Sequence, residues 1–228
     1  MGIEWSLRAP PASLVVLCDF DGTVVDIDTS VFVLTRFAEE DWRTFDEQLE
    51  RGKITLGECL RKQFSTVRAT KTRILKEIEN VPSVRPNFEK LAEFCKTKGI
   101  PLMIVSAGLD FVINHFLEQK GWQKLVTVYA PKARITAEGI KFAFPKLLDK
   151  ASVSFKDDLV RYYKKQGKTT IYIGDGFADF NAAKNADFSF AIEDSKLAEL
   201  LKNDGIPHKE ISDFQEVVKA IIEIDLDY

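Results

Sequence analysis

The stretch Leu14-Val15-Val16-Leu17-Cys18-Asp19-Phe20-Asp21-Gly22-Thr23 decides the fold. Five apolar residues make a buried strand, and that strand ends in two carboxylates one residue apart. In open α/β sheets ligands bind beyond the carboxyl ends of the strands, so Asp19 and Asp21 stand where a substrate would be met. Neighbouring acids repel, partial burial makes their ionisation costlier, and the segment holds no basic residue, so the pair calls for a cation from elsewhere. An ordinary turn would account for Asp21-Gly22 alone. Just downstream, Asp26-Ile27-Asp28-Thr29 repeats the Asp-x-Asp spacing after only Val24-Val25. It is placed past the sheet, with Asp28 able to look back into the site.

Outward from this strand, β-rich runs recur at residues 101–105, 126–130, 169–173 and 188–192, with a weaker one at 209–211. Helical patterns separate them, which predicts an α/β fold with a Rossmann-like, mainly parallel sheet. Phe88, Leu91, Ala92, Phe94 and Cys95, for example, mark one face of a helix ending near Gly99. About 80 residues separate Cys18 from Pro101, whereas a βαβ crossover takes roughly 30, so about 50 are surplus to the sheet. Three apolar stripes at helical spacing fill them: Val31, Leu34, Phe37 and Ala38; Leu56, Leu60, Phe64 and Val67; Ile74, Leu75 and Ile78. The expected organisation is a core of residues 1–28 and 85–228 with an inserted helical cap, 29–84, over Asp19. A β-hairpin within about 130–145, with arms 134–136 and 140–144 around the loop Ala137-Glu138-Gly139, is assigned to the core.

Composition narrows the function classes. The 228 residues are 45% hydrophobic, ample for a core, and a formal charge of −3 with Lys and Arg spread along the chain offers no basic stripe for nucleic acid. Cys18, Cys59 and Cys95 stand in dissimilar contexts with only two histidines, which indicates neither a disulfide framework nor a zinc site. Residues 1–13 lack the apolar centre of a signal peptide, and no run approaches the roughly 20 apolar residues of a membrane span. The expectation is a cytoplasmic protein, monomer or homodimer, that binds neither nucleic acid nor membrane.

Two more strand ends carry chemistry. Residues 101–105 end in Ser106-Ala107-Gly108, where a hydroxyl and backbone N–H groups could hold phosphate oxygens, although Ser106 or Asp110 could equally cap the helix that follows. Residues 169–173 run into Gly174-Asp175-Gly176-Phe177-Ala178-Asp179, whose two acids, four residues apart, face the same way. Asp19, Asp21, Asp175 and Asp179 together would repel a phosphate dianion, and a divalent ion resolves this. Oxygen-only ligands without histidine or cysteine point to Mg²⁺. For the cation beside the nucleophile Lys156 is the candidate, in a first helical turn behind Ser154 where a lysine opposes the helix dipole. Lys146 and Lys150 remain open as substitutes.

Asp19-Phe20-Asp21-Gly22-Thr23, Ser106, Lys156 and Gly174-Asp175-x-x-x-Asp179, in that order, resemble the four motifs of the haloacid dehalogenase superfamily of phosphotransferases. The helical cap between the first two motifs is similar to the C1 cap of the phosphoserine-phosphatase-like group. Thr55-Leu56-Gly57-Glu58, residues 105–111, the hairpin ending Phe144-Pro145 and residues 206–214 resemble the methionine-salvage phosphatases of that group, which act on a 2-hydroxy-3-keto-5-methylthiopentenyl phosphate. The chain lacks the cysteine-rich stretch that bacterial members can carry before the motif lysine.

The resemblance implies a phosphoric monoester hydrolase of a small phosphorylated metabolite. In it Asp19 is the nucleophile that forms an aspartyl-phosphate, and Asp21 protonates the leaving oxygen and then activates water. Mg²⁺ goes to Asp19, the Asp21 backbone carbonyl and Asp175, with Asp179 a further or indirect ligand. Ser106, with backbone N–H groups around Ala107 and Gly108, holds phosphoryl oxygens, and Lys156 neutralises charge. Thr23 fixes the loop through its hydroxyl or by packing. Asp28 and Arg61 fall where phosphoserine phosphatases grip the amino acid, which keeps phosphoserine as the alternative substrate. A phosphomutase would use the same groups, a dehalogenase would not need Asp21, and a silent binding module would not need so complete a set.

Overall fold

The computed structural model describes residues 14–226. The expected strands form one six-stranded sheet: β1 (Leu14–Cys18), β2 (Leu102–Val105), β3 (Thr127–Tyr129), β6 (Thr169–Gly174), β7 (Phe188–Ile192) and β8 (Lys209–Ile211), in the order β3-β2-β1-β6-β7-β8. Every pair in it is parallel. All five residues of β1 are buried, which is why the strand reads as an unbroken apolar run and not an alternation. Leu14, Val16 and Cys18 enter one core, against α5 (Phe88–Lys98), α6 (Asp110–Lys120) and α10 (Gln215–Leu226). Val15 and Leu17 enter the other, against α7 (Phe155–Lys165), α8 (Phe180–Asn185) and α9 (Lys196–Asn203).

The chain leaves β1 toward β2 and β3 on one side and returns through β6 to β7 and β8 on the other. The order therefore reverses between β1 and β6, and such a switch point opens a crevice at the strands' carboxyl ends. Cys18 pairs with Ile173 across that boundary, so Asp19 and Asp175 emerge close to one another.

Between β1 and α5 lie four helices: α1 (Thr29–Phe37), α2 (Arg43–Glu50), α3 (Leu56–Phe64) and α4 (Lys71–Ile78). The sequence predicts three. The missed one, α2, buries none of its own residues, so it carries no apolar stripe to read. In α1 the inward residues are Val33, Leu34 and Phe37, while Val31, assigned to the buried stripe, is 40% exposed. A capping box between Thr55 and Glu58 starts α3.

The hairpin consists of β4 (Lys132–Thr136) and β5 (Gly139–Ala143), with Thr136 paired to Gly139. Its loop is thus the two residues Ala137 and Glu138, one shorter than expected. Gly139 has φ +103°, and a Cβ there would stand 2.4 Å from the Ser65 carbonyl oxygen, so both conformation and close approach require glycine. The hairpin packs with the inserted helices, Ile140 joining their buried cluster and Phe142 meeting Phe64 edge to face. It also touches α6 of the core, where Asp110 accepts from Ala133 N and pairs with Lys132, so the hairpin bridges the inserted helices and the core to which it was assigned.

Candidate active site

Asp19 leaves the buried end of β1 with its carboxylate already engaged: Phe20 N–H donates to Oδ1 at 2.7 Å and Lys156 Nζ lies 2.8 Å from Oδ2. Lys156, the second residue of α7, is 1% exposed and also donates to Asp179 Oδ1 at 2.7 Å. Burial works to lower its pKa, but the carboxylates of Asp179 and Asp19 outweigh that and hold the ammonium charged. Lys146 and Lys150 are exposed, so the structure brings Lys156 and not its neighbours to the acids.

Local structure explains the placement of that lysine. Ser154 caps α7 through the Asp157 N–H. Asp158 is buried and accepts from Leu148 N, Asp149 N and Ser152 Oγ, while Asp157 accepts from Arg161 and Asn185. The two acids that follow Lys156 thus tie the incoming loop to the helix start, Asp157 also accepting from Val153 N, and the lysine just before them points inward.

Asp179 has donors on both oxygens. Lys156 and Tyr172 OH, each at 2.7 Å, take Oδ1, and the N–H groups of Gly176 and Asp175 take Oδ2 at 3.0 and 3.2 Å. These charge-assisted bonds hold its pKa below the usual carboxylate value although burial pushes the other way. Asp175 keeps an oxygen available: Thr23 Oγ1 donates to Oδ1 at 2.8 Å and Oδ2 faces Gly22. The Thr23 hydroxyl therefore bridges the two strand ends, the first of the two roles open to it. Gly22, at φ +70°, could carry no Cβ without meeting Asp175 Oδ2 at 2.2 Å.

Asp21 turns Oδ1 toward the start of α1, where Thr29 donates through N at 2.9 Å and through Oγ1 at 2.5 Å. Oδ2 faces the space left by the missing side chain of Gly108. Burial, then the charge of Asp28, pushes the Asp21 carboxyl up to about 7, so near neutrality it can both give and take a proton. Arg85, where the chain returns from the inserted helices, donates to the carbonyls of Thr23 and Gly22, each at 2.9 Å, and clamps the loop.

Ser106 is fully buried, and its Oγ accepts from Gly108 N at 3.0 Å. The Gly108 N–H is therefore taken within the loop and not free as expected. Ala107 and Gly108 line the pocket. The capping alternative does not hold, since Leu109 occupies the N-cap of α6 without a side-chain bond and Asp110 accepts instead from Ala133 N of the hairpin.

Above these groups opens a cavity of about 240 Å³. Its floor is Asp19, Asp21, Lys156, Asp175 and Asp179, and Leu34, Trp42, Leu49, Leu56 and Leu60 of the inserted segment form apolar walls. Val31 and Phe177, each 40% exposed, also line it. Asp28 borders it while capping α1 through the Val31 N–H, and Asp46 and Glu50 add two more acids. Arg61 is not among the lining residues; its guanidinium lies over the Phe144 ring, 4.6 Å from the centroid. Among the described residues, Lys156 is the one cationic side chain at this cavity.

Asp19, Asp175 and Asp179 each offer an oxygen, and the three lie within 4.8 Å of one another, an arrangement that fits a metal ion. Burial and the negative charge of Asp179 raise the carboxyls of Asp19 and Asp175, the latter to about 7. Such a pair is costly to ionise until a cation arrives. An oxygen-only donor set suits a hard divalent ion.

Sequence reading missed Thr29, Tyr172 and Arg85. Thr29 sits inside the repeated Asp-x-Asp segment, a hint in retrospect, and Tyr172 is the one polar side chain among the aliphatic residues of 171–173. Nothing in the sequence marks Arg85.

The fold and this site define a hydrolase of the haloacid dehalogenase-like family, which matches residues 16–184, and the chain belongs to it. It is similar to the 2-hydroxy-3-keto-5-methylthiopentenyl-1-phosphate phosphatase of Brevibacillus brevis, 28% identical over 216 residues that cover 92% of this chain and 96% of that one. The enzyme of the same description from Geobacillus kaustophilus is 27% identical, covering 93% and 97%. Among solved structures, a phospho-aspartyl intermediate analogue of phosphoserine phosphatase has a TM-score of 0.66 at 22% identity, with 91% of this chain and 98% of that one covered. That likeness concerns the fold. Among the described residues no helix is long and apolar enough to cross a membrane.

Proposed function

We propose that this chain is a magnesium-dependent phosphatase that hydrolyses a small phosphorylated metabolite through an aspartyl-phosphate on Asp19, with 2-hydroxy-3-keto-5-methylthiopentenyl-1-phosphate as its substrate. The reaction class is hydrolysis of a phosphoric monoester. The observation that carries the reading is the convergence of the Asp19, Asp175 and Asp179 oxygens within 4.8 Å, with Lys156 paired to two of them. The proposal includes a core of residues 1–28 and 85–228, a cap of 29–84 and a cytoplasmic enzyme acting as monomer or homodimer.

In this mechanism Asp19 attacks phosphorus, Lys156 offsets charge on Asp19 and the phosphoryl group, and Asp21 gives its proton to the departing ester oxygen. Asp21 then takes a proton from the water that cleaves the acyl phosphate. Splitting the hydrolysis into two steps suits a weak nucleophile, and positioning with electrostatics supplies most of the acceleration. Mg²⁺ would be held by Asp19, the Asp21 carbonyl and Asp175, and it supplies positive charge at the transferring phosphoryl group. Asp179, its oxygens taken by four donors, positions Lys156 and the loop. The Ser106 hydroxyl and the Ala107 backbone N–H are assigned to the phosphoryl oxygens, the Gly108 N–H being held by Ser106 Oγ.

Wall chemistry selects among monoesters. Five apolar side chains suit a thioether tail, and Asp46 and Glu50 oppose a second anionic group. Phosphoserine is the second reading: Asp28 could meet its ammonium group, but its carboxylate finds no arginine because Arg61 is stacked on Phe144. Phosphate release is measured with Mg²⁺ over the methylthiopentenyl phosphate, phosphoserine and sugar phosphates, each repeated with EDTA. The proposal expects the first to lead and EDTA to abolish turnover. Metal-independent hydrolysis, or phosphoserine leading, would overturn the metal or the substrate respectively.

A further inference from the structure

One hydroxyl at the cavity has no task in this mechanism. Ser30, the second residue of α1, lines the cavity, and its Oγ is the one buried side-chain polar atom without a hydrogen-bond partner among the described residues. A buried hydroxyl normally finds a partner, and one left without is destabilising. Helix capping does not explain it: Asp28 already caps α1, accepting from Val31 N.

The surroundings of the orphan atom point to a ligand. A Cβ built on Gly108 would lie 3.4 Å from Ser30 Oγ, 3.2 Å from Ser106 Oγ and 2.4 Å from Asp21 Oδ2. Three oxygens from three segments therefore surround a position that glycine keeps open. One is the oxygen of the acid that Thr29 leaves free, since Thr29 grips Oδ1. Asp28, Thr29 and Ser30 act in succession: the first caps the helix, the second orients the acid, and the third presents a hydroxyl beside it.

We propose that Ser30 Oγ is a substrate contact that hydrogen-bonds an oxygen on the carbon next to the ester carbon. The enzyme then selects phosphate monoesters in which the carbon next to the ester carbon bears a hydroxy or oxo group. The assignment follows from sides of the cavity. Asp19 and Lys156 belong to the floor that meets the phosphoryl group, and Asp21 serves the ester oxygen. Ser30 stands on α1, on the cap side of Asp21, and so meets the atoms just beyond that oxygen. The inference rests on the phosphatase reading and deepens it from reaction class to the substituent that is recognised.

The test compares 2-hydroxypropyl phosphate with propyl phosphate, both with Mg²⁺, in the wild type and in Ser30→Ala. Removing a net hydrogen bond to an uncharged group predicts a loss of about tenfold in kcat/KM for the hydroxylated ester, and a change within about twofold for propyl phosphate. Thermal unfolding checks that the variant folds, with a Tm no lower than wild type because an unsatisfied hydroxyl is gone. Ser30→Cys, which keeps the volume but donates weakly, should follow Ser30→Ala. Equal losses on both esters, or none on either, would overturn the contact. Hydrolysis of the methylthiopentenyl phosphate but of neither alkyl ester by the wild type would overturn this proposal alone, and hydrolysis of none of the three would overturn the phosphatase reading with it.

Discussion

Gly108→Ala places one methyl group against the proposed acid. The added Cβ would lie 2.4 Å from Asp21 Oδ2, about 1 Å inside ordinary van der Waals contact. Gly108 does not have a positive φ, so alanine strains no backbone there and should slightly lower the entropy of the unfolded chain. The clash is relieved by moving the carboxylate away from Gly108, against the two bonds from Thr29. A displacement of about 1 Å in a reacting group costs on the order of 100-fold in rate. The expected result is kcat down about 100-fold on an alkyl phosphate with Tm unchanged or raised. Phosphate release under saturating substrate and Mg²⁺ measures the first, and thermal unfolding the second. Gly57→Ala is the control, because its Cβ would stand 3.6 Å from the nearest atom and cause no crowding. If Gly108→Ala keeps kcat within about threefold of wild type, Asp21 Oδ2 is not the group that transfers the proton.

Two further outcomes follow from the charges at the floor. Lys156→Ala leaves Asp19 and Asp179 buried without their shared cation, so stability should fall by about 3–5 kcal/mol and activity should vanish. Lys146→Ala should change neither, and the reverse ranking in denaturant melts and phosphate release would reassign the motif lysine. Burial, with Asp28 second, keeps the Asp21 carboxyl protonated up to about pH 7, so kcat/KM should decline as pH rises through that value. Asp28→Asn removes a negative charge and lowers that pKa, so the alkaline limb of the profile should move to lower pH. An unmoved or upward-shifted limb would sink the assignment.

The sheet was legible because each central strand is buried on both faces and bounded by turn residues, so β1 and β7 fall where the buried runs begin and end. The acids were legible because strand ends are where open α/β sheets place chemistry. What escaped depends on partners distant in sequence. Arg61 reads as a cap-helix cation, yet Phe144, on a hairpin more than 80 residues later, takes its guanidinium. Tyr172 and Arg85 matter only through Asp179 and the Gly22-Thr23 carbonyls, which no local pattern announces. Helix α2 has no buried face, and Val31 looks like core until α1 turns it to the cavity.

Asp19 is asked to carry the phosphoryl group, and acid-quenched turnover followed by peptide mass spectrometry tests that directly. With Mg²⁺ and substrate, one phosphoryl adduct should appear on Asp19 in the wild type and be absent from Asp19→Asn, which should fold but not turn over. An adduct on another residue, or steady turnover by Asp19→Asn, would contradict the account.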